Sequence, residues 1–532
     1  MSRSGSEARP GPDAGAIADA ASAPAGRDAE TLLAPERRWA ALAARPLLAV
    51  LAMCAGAALI AVPFLDPRLW PLAWLGLVPL FGVAAHAATP RRAALLGLVT
   101  GFVVQIIGFH WIVTTITRFG GFPLPVALFF FSALALYSAL PFAIAAATLR
   151  WAGPRAPLLL AAALWAAIEF LFPALFPWRI AHSQREVTLL LQTGDFAGPF
   201  LLSFVMAYAA AALVRLPRLR PLAGPAIAVA AVLLYGAWRV PQIERAIAEA
   251  PAFRVGVVQG NLLLDEKRHR DLFESNVARY RRLSASIVPA PDLFIWPETV
   301  VEWGIPLETP TLRGLDPYPG APAPLLFGAV AYRDYGREME WFNSAFLRRP
   351  DGSIGGRYDK IVLMPFGEFI PFASLFPSLK ELSPNTGDFH AGDGPGVVPV
   401  DDRARVGALI CYEDLLAGHV RRTVGLGANL LAAMTNDAWF GESAALHEHD
   451  SLALWRAVEN RRYLVRATNT GLSSVTDPLG RTVAALPKHQ ATAAGIDVHL
   501  LEITSPYQRF GDLFGWLCVA LTVSLLIWCR RR

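Results

Sequence analysis

The sequence is short of charge. Asp, Glu, Lys and Arg make up 17% of its 532 residues against 54% hydrophobic ones, and the mean hydropathy is +0.39. That balance excludes an ordinary soluble globular protein, in which about a quarter of residues are charged. Cysteine is scarce as well: there are four, too few and too scattered for a disulfide scaffold. Cys54, Cys518 and Cys529 lie in or at the end of apolar runs, where packing accounts for them; Cys411 alone stands in mixed-polarity text. Lysine is rare in a chain that otherwise uses arginine. The net charge of +5 and pI near 9.1 do not point to nucleic acid, because the arginines form short clusters between apolar runs instead of one basic face. No Gly-rich phosphate loop is evident.

What the chain has in abundance is long apolar runs. Residues 1 to about 35 are rich in Ala, Gly, Ser, Pro and charge without apolar periodicity, so residues 1–40 read as a disordered cytoplasmic tail. Runs long enough to cross a bilayer follow at about 46–64, 69–88, 93–115, 123–149, 156–176, 195–214 and 222–240, and again at 512–529. The fifth and sixth are the least clean, since Pro173, Pro177 and Gly194 crowd their ends. Arginines gather in every second connection: Arg37, Arg38 and Arg45; Arg91 and Arg92; Arg150 and Arg155; Arg215, Arg218 and Arg220; and Arg530 to Arg532. The positive-inside rule then makes both termini cytoplasmic. Seven spans in residues 41–245 place the insert, residues 246–508, on the outer side, before a last span in 509–532. In a bacterial inner membrane that side is the periplasm. Glu169, within the fifth span, either faces the bundle or a wet cavity, or lies near the interface because Pro173 ends the helix early.

The insert alternates strands and helices and reads as an α/β layered domain. Strands are expected at Phe253–Gln259, Leu293–Trp296, Leu325–Ala331, Val406–Ile410 and Asn429–Thr435, with helices over Asp271–Ile287 and about Glu448–Arg466. Hairpins are expected over Asn343–Asp359, turning at Asp351-Gly352, and over Ser473–Ala485, turning at Asp477 to Gly480.

Chemistry concentrates where strands end. Cys411 follows the apolar run Val406–Ile410 and precedes a helical pattern, the strand–turn–helix arrangement that presents a nucleophile. A buried strand-end thiol acting as a small hydrophobe accounts for it equally well. Catalysis by a thiol needs a base, and the oxyanion it creates needs positive charge. Glu298 ends the strand FIWPE and Lys360 follows Arg357-Tyr358-Asp359. Singly, Glu298 reads as a carboxylate after proline and Lys360 as a solvated loop cation; three strand ends of complementary chemistry in one domain favour a site. His447, His449 and Asp450 are weak metal candidates, since an i, i+2 spacing does not share a helix face, and no cofactor is expected. Trp439 and Phe440, beside Asn436-Asp437, suit a pocket wall.

The order Glu298 in WPE, Lys360 in YDK and Cys411 in CYED is similar to the Glu-Lys-Cys triad of the nitrilase superfamily. With KIVLMPFGEFIPF, TNDAWFG, RAVENRRYLVRATNTG and DPLGR, and with Glu169 followed by FPW and HSQ, the chain resembles the membrane-embedded apolipoprotein N-acyltransferase family over almost its whole length after the tail. The resemblance implies a multi-span helical membrane region carrying an αββα nitrilase-like domain before the last span. It implies Glu298 as general base, Lys360 as oxyanion stabiliser and Cys411 as nucleophile, supported by Glu368, Tyr412 and Glu413. It further implies a phospholipid donor and a diacylglyceryl-cysteine apolipoprotein acceptor, joined by a thioester intermediate. One departure stands out: after Gln259-Gly260-Asn261 the text is LLLDEKRH, with Lys267 but Arg268 where the family tends to carry Trp. Water must be excluded or the enzyme becomes a lipase; Met364-Pro365-Phe366 and Phe369-Ile370-Pro371-Phe372 are candidate shields, or ordinary core. A tethered amidase using water would share the triad, and a transporter or receptor with a ligand-binding outer domain would not need Cys411.

Overall fold

The computed structural model describes residues 35–531 apart from 119, 264, 265, 268, 313, 337, 338, 366, 371–374 and 376–386. Residues 1–34, Arg268, Phe366, Pro371 and Phe372 therefore lie outside the described residues. The last part of the expected tail is ordered: Pro35–Ala44 is a helix.

Among the described residues, six helices are long and apolar enough to cross a membrane: Pro46–Leu65, Pro67–His86 (3-10 over Pro67–Leu72), Pro90–Phe109, Leu124–Ala152, Arg220–Glu249 and Leu513–Arg531. The other two expected spans differ. Leu158–Leu171 has only 14 residues, and Thr188–Ala197 with Phe200–Leu213 is a pair bent by 119°. These are the runs crowded by Pro173, Pro177 and Gly194. Proline removes a helix donor and restricts the residue before it, so the apolar sequence continues while the helix does not. Glu169 lies near the end of the shorter helix and faces protein. The helix stops at Leu171, yet the carboxylate is buried and accepts hydrogen bonds from Trp165 Nε1 at 3.0 Å and Ile180 N at 2.9 Å. Small residues let the spans approach closely: a Cβ on Gly97 would sit 2.4 Å from the carbonyl oxygen of Phe142.

The insert is built on two sheets. The strands are β1 (Ala252–Gln259), β2 (Leu293–Ile295), β3 (Val301–Pro306), β4 (Leu325–Asp334), β5 (Met339–Arg348), β6 (Ile354–Asp359), β7 (Val398–Pro399), β8 (Arg405–Ile410), β9 (Leu430–Thr435), β10 (Leu464–Thr468), β11 (Ser474–Thr476), β12 (Thr482–Ala485) and β13 (Thr492–His499). One sheet runs β13-β1-β2-β4-β5-β6, with β3 on β4, and the other β12-β11-β10-β9-β8-β7. Their inner faces share one core, in which Val255, Val257, Ile295 and Leu347 meet Ala408, Ile410, Ala432 and Val465. Helix Phe273–Ala285 covers the first sheet through Val277 and Tyr280. Helices Ala417–Gly425 and Ala445–Asn460 cover the second through Val420, Val424, Ala453 and Ala457. The result is a four-layer αββα domain, with both expected hairpins formed by β5–β6 and β11–β12.

One helix was expected to run to Arg466 but ends at Asn460, and Leu464–Thr468 is β10. Arg461 takes a left-handed conformation at the cap, and its guanidinium is held by Gln192 Oε1 at 2.8 Å and Pro478 O at 2.7 Å.

Candidate active site

Three strands of the first and second sheets end at one place. Glu298 follows β2 on a turn that lies against β4, where Gly328 N donates to Pro297 O at 3.1 Å. A Cβ at Gly328 would stand 2.7 Å from Glu298 Cα, so only glycine allows the turn to lie there. Lys360 follows β6, and its backbone N donates to Asn343 O on β5 at 2.9 Å. Cys411 follows β8 with φ +52°, a left-handed conformation unfavourable for a side chain with a Cβ and typical of strained functional turns.

The side chains converge as closely as the backbone. Lys360 Nζ lies 2.7 Å from Glu368 Oε2 and 3.6 Å from Glu298 Oε1, and all three side chains are at most 12% exposed. Asn343 Nδ2 donates to both carboxylates, to Glu298 Oε1 and Glu368 Oε1, each at 2.8 Å. The second Glu298 oxygen accepts from the backbone N of Asn436 at 3.0 Å, and Glu368 Oε2 accepts from Met364 N at 2.9 Å. Cys411 itself is half-buried.

The electrostatics follow from this packing. Burial pushes the Cys411 thiol well up and the Glu298 carboxylate adds to that, while the Lys360 ammonium opposes it. Burial alone would lower Lys360, but Glu368 and Glu298 outweigh it and hold the ammonium charged. The resting site therefore suits a neutral thiol beside a permanent cation and a paired carboxylate. When a carbonyl is attacked, such a site can move the thiol proton to the carboxylate and leave the cation facing the new oxyanion.

The two residues after Cys411 do different work. Glu413 Oε1 accepts from Tyr358 OH, Ile361 N and Val362 N at 2.8, 2.9 and 3.1 Å, while Oε2 accepts from Ile410 N at 2.8 Å. One buried carboxylate thus ties the chain following Lys360 to the residue preceding Cys411. Tyr412 OH reaches into the helical region and donates to Leu175 O at 2.5 Å. Lys267 is buried, with Nζ 3.1 Å from Thr299 Oγ1 and 3.6 Å from Glu302 Oε1. The first loop therefore touches the residue next to Glu298.

The three weak metal candidates part company. His447 Nε2 lies 2.9 Å from Lys488 Nζ, His449 Nε2 lies 2.7 Å from Asp414 Oδ1, and Asp450 pairs with Arg185 and Arg466. Phe440 packs edge-on against Trp111 of the helical region at 5.1 Å. Sequence reasoning missed Asn343 and Asn436 as partners of the site carboxylates. The signal for Asn343 was a polar residue inside the apolar strand WFNSAFL; Asn436 and Asp437 were seen only as neighbours of the aromatics.

The apolipoprotein N-acyltransferase N-terminal domain model matches residues 56–212, and the carbon-nitrogen hydrolase model matches residues 254–505. The Geobacter metallireducens apolipoprotein N-acyltransferase is 34% identical over 481 residues, 87% of this chain and 91% of its own. That of Azotobacter vinelandii is 34% identical over 512 residues, 91% of this chain and 95% of its own. Among solved structures, Saccharomyces cerevisiae Nit3, of branch 10 of the nitrilase superfamily, aligns over 47% of this chain and 90% of its own at 16% identity and TM-score 0.35. The two curated relatives match across both the helical region and the inserted domain. The chain therefore belongs to the apolipoprotein N-acyltransferase family and is an acyltransferase whose catalytic part is a carbon-nitrogen hydrolase domain.

Proposed function

We propose that this protein takes an acyl chain from a phospholipid, holds it as a thioester on Cys411, and passes it to the N-terminal amine of an S-diacylglyceryl-cysteine apolipoprotein. This is the last step of bacterial lipoprotein maturation, run in ping-pong order. The observation that carries the reading is the buried Glu298–Lys360–Glu368 cluster beside Cys411, in a domain attached to six membrane-length helices. A hydrolase of small soluble amides has no use for such helices.

In the first half-reaction the Cys411 sulfur attacks the ester carbonyl and Glu298 takes the thiol proton. The oxyanion is held by Lys360, and removing one such donor typically costs about 100- to 1,000-fold in rate. Collapse expels the lysophospholipid alkoxide, which recovers the proton from Glu298. In the second half-reaction the acceptor amine attacks the thioester, and the stable amide forms as the thiol leaves. Glu368 keeps Lys360 in place, and Glu413 holds the Lys360 and Cys411 turns in register. The arginine pattern supports an inner-membrane protein with the catalytic domain periplasmic and both termini cytoplasmic.

Intact mass of the purified protein after incubation with phospholipid alone tests this. The expected result is a fatty-acyl adduct on Cys411 that is discharged by hydroxylamine and by an amine-bearing lipopeptide. Free fatty acid accumulating without an adduct would make it a hydrolase, and the absence of both products would overturn the acyl-transfer scheme.

A further inference from the structure

One cation at the rim of the site has no task in the scheme above. Helix Trp111–Arg118 continues outward from the span Pro90–Phe109. Trp111, Thr115 and Arg118 stand at i, i+4 and i+7, the spacing of a single helix face. That face meets the turn Asp437–Phe440 that follows β9. Phe440 packs on Trp111, Thr115 Oγ1 donates to Trp439 O at 3.4 Å, and a Cβ on Gly441 would stand 3.5 Å from Arg118 Nη1. The near end of the turn belongs to the catalytic cluster, since Asn436 N donates to Glu298 Oε2 at 3.0 Å. The four residues of 3-10 helix between Asn436 and Gly441 cover about 8 Å, which sets the offset of Arg118 from the catalytic carboxylate.

Arg118 is exposed, and among the described residues it makes no ion pair or hydrogen bond. The other arginines between spans on this side are engaged. Arg68 pairs with Asp66 and Arg185 with Asp450, while Arg179 donates to Trp178 O and lies over the Phe200 ring. The depth of Arg118 suits a lipid headgroup. The 20 residues of Pro90–Phe109 measure about 30 Å, one hydrocarbon thickness, and begin at Arg91 and Arg92 on the cytoplasmic side of the proposed arrangement. Beyond Phe109 the helix therefore enters the outer headgroup layer, where the phosphates lie. Leu124, Leu128 and Phe129, on the next helix at the same level, are exposed and apolar, as lipid contacts are. Tyr412, which follows the nucleophile, reaches Leu175 O, and Phe176 packs on Trp111 at 5.6 Å. Cys411 is thus tied to the Trp111 end of the helix, and Arg118 lies two turns, about 10 Å, farther out.

The geometry points to Arg118 as the group that binds the phosphodiester of the acyl donor. This rests on the acyl-transfer reading and names the part of the lipid that the site grips. The order along the helix is the order within a phospholipid: ester beside Cys411, then the glycerol, then phosphate at Arg118. A guanidinium offers a phosphate two parallel N–H donors, and such a charge-assisted pair is stronger than a neutral hydrogen bond. With its phosphate held there, the donor presents its ester to the thiol in one orientation. Every glycerophospholipid carries this phosphate, so Arg118 selects phospholipids over uncharged diacyl lipids without choosing among headgroup substituents. An arginine that only anchored the protein at this depth would act alike on every donor.

The test uses the full-length protein in micelles of an uncharged detergent, with the Cys411 adduct followed by intact mass. The donors are a phosphatidylethanolamine and a galactosyl diacylglycerol with the same acyl chains, of which only the first has a phosphate. Arg118→Gln should raise the apparent KM for the phospholipid about tenfold relative to the galactolipid, with kcat changed less than KM. Arg118→Lys should recover part of the preference. Dialkyl ether analogues, which cannot acylate Cys411, make the same comparison without turnover. The ether phospholipid should protect Cys411 of the wild type from alkylation at about tenfold lower concentration than it protects Arg118→Gln, and the ether galactolipid should protect both alike. Equal losses with both lipids, or no loss with either, would overturn the role of Arg118. Failure of the wild type to form an adduct with any donor would instead overturn the acyl-transfer reading beneath it, while the ether comparison would still report on Arg118.

Discussion

Lys360 sits 2.7 and 3.6 Å from two carboxylates and is 1% exposed, so its removal strands two buried anions together. Lys360→Met is expected to abolish adduct formation and to cost about 3–5 kcal/mol, the usual penalty for breaking a buried pair from one side; adduct mass and denaturant unfolding read the two effects. The same charges set the thiol's titration. Alkylation of Cys411 by iodoacetamide should accelerate only above the ordinary thiol value of 9.0, because burial and then Glu298 raise it. Glu298→Gln should move that profile toward neutral pH and Lys360→Met should move it the other way; coincident profiles would refute the electrostatic account. That Glu298, Lys360 and Cys411 stand at strand ends was legible in the sequence, because Glu298 and Cys411 follow apolar runs and Lys360 follows the returning strand of the Asp351-Gly352 hairpin. Asn343 was not, since its partners Glu298 and Glu368 are 45 and 25 residues away in sequence. Nor was the four-bond staple made by Glu413, which joins two turns on different sheets.

At the scale of elements, the site depends on how closely strands approach one another. Gly328→Ala would drive a Cβ to 2.5 Å from both Pro297 O and Thr299 N, displacing the Glu298 turn. The expected cost is about 1–3 kcal/mol, as for other overpacking changes, with a larger loss in acylation rate than in thermal stability. Helix Ala445–Asn460 carries three groups that bind protons more tightly when folded: Glu448, His449 and Glu459, the last raised by burial to about 8. Burial raises Glu448 to about 8, and His449 is raised to about 9 because Asp414 outweighs its burial. A raised value stabilises on the acid side, and that stability is lost from 4.5 to about 8 for Glu448 and Glu459 and from 6.5 to about 9 for His449. The unfolding temperature should therefore fall between neutral pH and pH 9 by at least about 2–4 °C. Glu448→Gln should flatten the slope, and an unchanged slope would contradict the assignment. Five strands and both hairpins were readable from apolar runs and Asp-Gly-type turns, but the order of the strands in the two sheets, which depends on crossovers, was not. Nor was the end of this helix, because ENRRYLVRAT fits both periods and what stops it is a partner in the helical region.

For the whole molecule, the two parts are joined by buried charge as well as by apolar contact. Asp195, fully buried, pairs with Arg461 and with Arg239, each at 2.7 Å, and accepts from Tyr235 OH at 2.5 Å. Asp195→Asn leaves two guanidiniums short of a counter-charge and should destabilise by about 3–5 kcal/mol. Limited proteolysis should then cut between the helical region and the domain before either unfolds; cleavage unchanged from wild type would argue against the coupling. Apolar content made the helical region plain in the sequence, but which runs would fail to span was decided by prolines whose effect depends on their neighbours. The helix Leu158–Leu171, at 14 residues, covers about 21 Å, roughly two-thirds of a bilayer's hydrocarbon. Beyond it runs irregular backbone that ends beside Tyr412, and backbone of that kind survives at membrane depth only against protein or a cavity. On the proposed acyl transfer, a lipid donor entering there would search a surface and not a volume. Turnover should then follow the mole fraction of phospholipid in the membrane and stay indifferent to how much membrane is in the tube.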